Sequence, residues 1–548
     1  MLSNHALRRV TLALLFVAAL GQRALAEEAK TAELPKPGVV SFRVSPLATS
    51  RPSAEFANLR EQMLSEHMRP TPLAEASEAP VIQAPPDPAT ATSLGIEDVE
   101  VIWRRPFADD ETAASTSTVL EMSVAGVNEF MLATGNWFAS LSKDGGQSFS
   151  FLNPSTAFPS PAGMPFCCDQ VALADPRSGT IYWLLQYIKG SGGNVLRLAV
   201  ANRTELQDGT WRYYDFTPSG VGNWSFEWFD FPDLAQTVDH LFITTNMFST
   251  LSDTFTRSVV MRLSKSSLEG RGAQQFAYFD DTERGSYRCV QGAGATMFAA
   301  AHKSPDALLC ARWDDASATY TTHTVAVPRW KRDGHSSIGP DGRDCLKRCD
   351  GRITAAWMAQ GRVGFGWSAA ADGNFPQAFV RAALIDPATV RLTATSNLWN
   401  PGHAFAYPSA GLNSAGEMGL GVFYGGSTTD LSFAVGLLDA DAGGGSWKLT
   451  PGVYGKFGPV QGTWGDYGAV QPFPSVAGAW LAPGWVLGKG PTGADMEPHL
   501  IAFRRRGPVL PAAMEAPKED VLPALKRERD RLRPILENLE KRIKELGG

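Results

Sequence analysis

The sequence predicts an all-β protein, a seven-bladed β-propeller with a short C-terminal α-helical tail, and three observations carry that prediction. From Ile96 to Arg506 short apolar and aromatic segments alternate with Gly, Asp and Pro, and no helical periodicity of useful length occurs. Fifty-three glycines and fifteen tryptophans in 548 residues suit many short strands joined by turns. Within that span a strand start recurs about every sixty residues, the mark of a stacked repeat.

The repeated starts are Asp169, Asp230, Val290, Arg352, Tyr407 and Asp466, spaced by 61, 60, 62, 55 and 59 residues. Each unit has room for three or four strands, such as Thr180 to Tyr187 followed by Val195 to Ala201, or Glu417 to Tyr424 followed by Leu431 to Leu438. Counting back one unit puts a first blade near Val119. The last unit, Asp466 to Arg505, is one strand short. Asp98 to Trp103 alternates as a strand should and would complete it, closing the ring by joining its two ends. Six blades is the alternative, because the unit around Val290 is weakly marked.

The flanks read differently. Arg8 and Arg9 precede an apolar run from Val10 to Leu20, and Ala24-Leu25-Ala26 precedes Glu27. This predicts a bacterial-type signal peptide over residues 1–26 and a secreted or periplasmic protein. The run is too short to span a bilayer, and with no other long apolar run no transmembrane segment is expected. Residues 27–95, rich in Pro, Ala, Ser and Glu, read as a leader or linker, helical only from Ser53 to Met68. The propeller is assigned to 96–506. In 507–548, Leu522, Leu525, Leu532, Leu536, Leu539, Ile543 and Leu546 fall on heptad a and d positions, interrupted by Pro523 and Pro534. That tail either docks on its own propeller or joins copies of the chain as a short coiled coil. A net charge of −6 with scattered basic residues excludes nucleic acid as an expected partner.

Six cysteines in an exported chain allow fifteen connectivities. Cys345 with Cys349 and Cys289 with Cys310 are candidate pairs. Cys167-Cys168 either bond to each other or each bond elsewhere, and the strain of an adjacent pair favours the second. No zinc-ligand spacing accompanies them. No cofactor is expected, and clustered loop aspartates leave structural calcium open.

Phe138 to Leu141 and Ser150 to Leu152 flank the octet Ser142-Lys143-Asp144-Gly145-Gly146-Gln147-Ser148-Phe149. The Asp can bind turn amides while the glycines supply conformations that other residues resist. Through Ser142, Asp144, Gly146, Ser148 and Phe149 the octet resembles the Asp-box, or BNR repeat, of the sialidase and neuraminidase superfamily. The resemblance implies a propeller in which this hairpin is structural and lies far from the catalytic centre. It also implies a tyrosine activated by a glutamate, an aspartic acid and three arginines gripping a carboxylate; Tyr407 or Tyr467 with Glu227, and Arg288, match in kind. The chain departs from the pattern in lacking the Arg-Ile-Pro signature and in carrying one clean box, with Ser368 to Phe375 a degraded second, so no arginine triad can be assigned.

In a propeller the loops entering the innermost strands crowd the axis on one face. That geometry gathers Cys167, Cys168, Asp169, Gln170, Glu227, Asp230, Arg288, His403, Tyr407, Asp466 and Tyr467 around a shared cavity. Asp169, Glu227, Asp230 and Asp466 could supply the carboxyl pair of a glycosidase, one protonated and one ionised, with Tyr407 and Tyr467 the other catalytic candidates. Gln170, Arg288, His403, Trp228 and Trp464 are the substrate-binding candidates, since aromatics stack on sugar faces. The structural readings stand beside these: an Asp before a strand caps a turn, and most aromatics of a strand-rich chain are core. Lone histidines such as His302, His335 and His403 read as hydrogen-bonded structural groups, and no G-x-S-x-G elbow exists. The expected role is recognition or processing of a carbohydrate or other extracellular polymer, as a glycoside hydrolase or polysaccharide lyase. The alternative is a non-catalytic binding or scaffolding propeller.

Overall fold

The computed structural model describes residues 25–41, 91–95, 98–107, 121–270, 274–439, 444–460, 466–492, 495–507 and Arg533. The expected signal peptide up to residue 24, most of the leader, Trp464 and the heptad tail lie outside the described residues. The chain divides into two compact units, Met1–Arg505 and Arg506–Gly548, and every described strand belongs to the first.

Seven antiparallel sheets follow one another in chain order. From innermost to outermost strand, the first blade runs from Ser123–Val127 to Ser150–Leu152 and the second from Phe166–Asp175 to Thr210–Phe216. The third runs from Glu227–Gln236 to Gln274–Asp281 and the fourth from Arg288–Cys289 to Thr319–Ala326. The fifth spans Ile353–Ala359 to Arg391–Leu398, and the sixth Ala404–Leu412 to Ser446–Val453. The seventh has Gln471–Pro472, Ala479–Leu487 and Met496–Arg505, and its outermost strand is Val99–Pro106, paired with Met496–Arg505. The ring therefore closes between its two ends, and the six-blade alternative is excluded. The fourth unit was weakly marked because its innermost strand is only Arg288–Cys289.

Part of the expected leader, together with Leu25 and Ala26 of the expected signal peptide, takes a different role. Leu25–Glu28, Lys30–Leu34 and Gly38–Ser41 add a fifth, outer strand to the fourth, third and second blades in turn. Two of these strands alternate exposed and partly covered residues, as a strand covered on one side does.

The core lies between blades, where the faces of neighbouring sheets meet. Between the fifth and sixth, Trp357, Val380, Ala382 and Leu384 pack with Phe405, Leu420, Val422 and Ala434. Because both faces of each blade are covered, inner strands such as Thr180–Tyr187 and Met418–Gly426 are buried along their whole length. At the axis the blades approach so closely that a Cβ at Gly411 would stand 1.8 Å from the Val470 carbonyl oxygen.

The Asp144 hairpin joins the third and fourth strands of the first blade. Gly145 and Gly146 take φ of 74° and 89°, Ser142 Oγ donates to Asp144 Oδ1 at 2.8 Å, and Ser148 N donates to Asp144 Oδ1 at 2.9 Å. The Ser148 hydrogen bonds hold the Asp144 carboxyl down to about 2. In a meander of this order the turn after the third strand lies on the face opposite the entrances to the innermost strands.

Candidate functional site on the axial face

Four innermost strands break register near their entrances. The irregularities fall between Phe166 and Gln170, Asp230 and Asp233, Ile353 and Ala355, and Ala406 and Ser409. An extra residue in a strand re-aims its side chains. At two of these places a bulky aromatic adopts left-handed backbone, Phe231 with φ 53° and Tyr407 with φ 51°, which costs on the order of 1 kcal/mol or more each.

These strained positions converge on Arg352, which enters the fifth blade with its side chain only 9 % exposed. Its Nε lies 2.8 Å from Asp350 Oδ2, and its Nη2 pairs with Asp466 Oδ1. Its guanidinium stacks 4.1 Å from the centre of the Phe231 ring, which meets Tyr467 edge-on at 5.5 Å. Beside it Asp230, 2 % exposed, accepts a hydrogen bond from Gln186 Nε2 at 3.1 Å. The third, fifth and seventh blades thus meet at one guanidinium.

The electrostatics separate the carboxyls. Burial, opposed by the Gln186 hydrogen bond and reinforced by the charge of Asp466, pushes Asp230 up to about 6. Enclosure resists ionisation of Asp350, but the Arg352 charge overrides it and holds that carboxyl below its ordinary range. Burial raises both Tyr407 and Tyr467 well above the ordinary phenol value, with nearby Cys349 adding for Tyr407 and Asp169 for Tyr467. Both tyrosines are therefore held as neutral phenols, the opposite of an activated nucleophile.

Of the sequence candidates, Asp230, Asp466, Tyr407 and Tyr467 come together here, with Asp169 within electrostatic reach of Tyr467. Arg288 pairs with Asp233 at 3.0 Å, both buried. Glu227 is drawn elsewhere, bound by Arg257 Nη2 at 3.0 Å and by Thr256 Oγ1 at 2.9 Å. Gln170 is fully buried, donating to the Phe138 carbonyl at 3.1 Å and accepting from Trp183 Nε1 at 3.0 Å, so its polar atoms are committed inside the blade. Trp228 is core, capped by Lys189 4.7 Å from its ring centre. His403 bonds Asn400 Oδ1 and Thr429 Oγ1 at the edge of the sixth blade. His302 packs between Trp330 and Trp367, and burial pushes it down to about 3. Cys167 and Cys168 are bonded to each other, against the expectation that each bonds elsewhere, while Cys289, Cys310, Cys345 and Cys349 form no disulfide. The second strand of the fourth blade, Thr296–Ser304, separates Cys289 from Cys310. Among the described residues no group of three or more His, Cys, Asp or Glu is placed to hold a metal ion.

Sequence reasoning missed Arg352, Asp350, Asp233 and Gln186 as members of the cluster. It also missed the segment between Ala326 and Ile353, which carries Cys349 and Asp350 into the cluster. A compact turn in it, tied by Asp344 to the Ser337 and Leu346 amides, reaches over to the seventh-blade entrance, where Gly458 N donates to Asp341 Oδ2 at 2.8 Å. Of the seven exposed large hydrophobic residues among those described, Phe226, Leu251, Ile338, Tyr454 and Val460 lie in loops of this same face.

No family model matches the chain, and no curated protein matches it. Among solved structures it is similar to the α-L-arabinofuranosidase Arb93A of Fusarium graminearum (10 % identity, 71 % of this chain and 95 % of that one, TM-score 0.38). It is also similar to the NanB sialidase of Streptococcus pneumoniae (11 %, 73 % and 69 %, 0.35) and to the quinohemoprotein alcohol dehydrogenase of Comamonas testosteroni (11 %, 74 % and 76 %, 0.38). These likenesses are of fold alone. No helix among the described residues is long and apolar enough to cross a membrane.

Proposed function

We propose that this chain is an exported propeller that processes a carbohydrate or related extracellular polymer on its axial face, with Asp230 and Asp466 as its acid and base. The observation that carries the reading is the pair of unlike carboxyls beside Arg352. Asp230 is pushed up to about 6 and can hold a proton near neutral pH, while Asp466 is ion-paired to the guanidinium. Glycosidic cleavage needs one carboxylic acid to protonate the leaving oxygen and one carboxylate to activate water or attack. A tyrosine nucleophile of the sialidase kind is not favoured, because both phenols are held neutral and Glu227 is engaged by Arg257. The exposed Phe226 and Tyr454 are suited to stacking on sugar rings.

One observation favours a second reading, binding or scaffolding without turnover: Asp230, Tyr407 and Tyr467 are each less than 5 % exposed. Under the catalytic reading, the groups that bury Asp230 must move aside for a substrate.

Turnover on chromogenic glycosides, a sialoside and uronic-acid polymers tests both readings. Release by the mature protein that disappears in Asp230→Asn and Asp466→Asn supports catalysis. No release, with glycan binding in titration calorimetry that survives both substitutions, supports the second reading.

A further inference from the structure

Beside the Arg352 cluster the axis holds a second, small polar space. Asp233 from the third blade, Arg288 from the fourth and Tyr467 at the entrance to the seventh line one cavity, together with Ser123, Gln291 and Thr354. Its free volume is about 20 Å³, enough for a single water molecule and far too small for a sugar ring.

Each of the three side chains is at least nine-tenths buried, and each presents an atom without a hydrogen-bond partner: Asp233 Oδ2, Arg288 Nη1 and the Tyr467 hydroxyl. The 3.0 Å approach of Arg288 Nε to Asp233 Oδ2 balances charge, but its alignment is not that of a hydrogen bond. Buried polar atoms left unpaired are costly, so three around one cavity call for a shared ligand. Ser123 and Thr354 are already committed, to the Ala172 amide and the Pro408 carbonyl.

We infer that this cavity is a binding site for one water molecule, which donates to Asp233 Oδ2 and accepts from Arg288 Nη1 and Tyr467. The lining sets the ligand class. It offers a donor, an acceptor and a hydroxyl that can serve as either, and the Arg288–Asp233 pair leaves it without net charge, so neither an anion nor a cation is favoured. Three partners is the usual complement of a buried water. The water links the third, fourth and seventh blades across the axis.

A high-resolution crystal structure of the full chain tests this, with one crystal soaked in bromide and one in rubidium. A single solvent peak within hydrogen-bond distance of the three atoms, unchanged and without anomalous signal in either soak, is the expected result. An empty cavity, or a bromide or rubidium peak in it, would overturn the proposal. As a second measurement, the water-proton magnetic relaxation dispersion of Tyr467→Phe should be smaller than that of the native protein by about one long-lived water. An unchanged dispersion in a folded Tyr467→Phe protein would also count against it.

Discussion

Arg352 lies flat on Phe231, its guanidinium 4.1 Å from the ring centre, while Phe231 holds a backbone φ of 53°. A cation from the fifth blade is thus positioned by a strained aromatic from the third. Two contacts hold the ring in place, the Arg352 guanidinium and the edge-on ring of Tyr467.

Replacing Arg352 tests that arrangement. Arg352→Ala leaves Asp350 and Asp466 without their counter-charge, and because both carboxylates keep some contact with solvent the expected loss is about 2–4 kcal/mol, at or just below the range for a broken buried pair. Arg352→Lys keeps the charge but loses the planar stack and the fork, and should recover only part of it. Urea denaturation of the three proteins reads the order directly; equal stability of the Lys variant and the native protein would show that stacking on Phe231 contributes nothing.

Asp230 makes a pH prediction. Its carboxyl is raised from an ordinary value near 4 to about 6 in the fold, so the folded state binds its proton more tightly than the unfolded chain. Its contribution to stability is full below pH 4 and is lost as pH rises through 6. The denaturation midpoint of Asp230→Asn should therefore lack this fall between pH 4 and about 7. If Asp230 is the proton donor of a reaction, the alkaline limb of kcat against pH should lie near the same value.

Asp144 carries the opposite sign. Its carboxyl is held down to about 2 by Ser148, so its stabilisation is present above pH 4 and lost as pH falls toward 2. Asp144→Ala removes acceptors for Ser142 and Ser148 and should cost about 1 kcal/mol in thermal denaturation at pH 7. Ligand binding or turnover at the axial face should not change, since the hairpin is on the opposite face.

The fastening at Asp341 is tested through the thiols it helps cover. Asp341→Ala removes the acceptor of the Gly458 amide and of Arg343. With about 1–1.5 kcal/mol of local stability lost, labelling of Cys345 and Cys349 by a thiol reagent should accelerate roughly tenfold. Labelling of Cys289 and Cys310, buried in another blade, should keep its rate. Equal acceleration at all four would mean that the whole propeller had loosened.

The ring was legible in the sequence because each blade restarts at the axis, and the restart leaves a period of about sixty residues. The entrance face was legible for the same reason. Side-chain direction was not. Asp169 and Gln170 are neighbours on a strand, so they point to opposite sides of the sheet, and Gln170 spends its amide on Phe138 and Trp183. Glu227 lies before the register break at Asp230, and Arg257 reaches it from the third strand of the same blade. Arg352 passed as one more strand start because its importance comes from three blades meeting at it, a relation with no local signal. The outer strands from Leu25 to Ser41 were hidden because a strand added to a blade's rim needs little apolar character of its own.

Those outer strands have a consequence for the order in which the protein is made. Glu27 pairs with Tyr320 and Val99 with Arg505, so these strands leave the ribosome hundreds of residues before their partners are translated. While the first blades emerge, the N-terminal strands and the closing strand can only wait unpaired. Such distant pairings make assembly slow, and the unpaired edges left open during synthesis are the segments most exposed to wrong pairing until the seventh blade arrives.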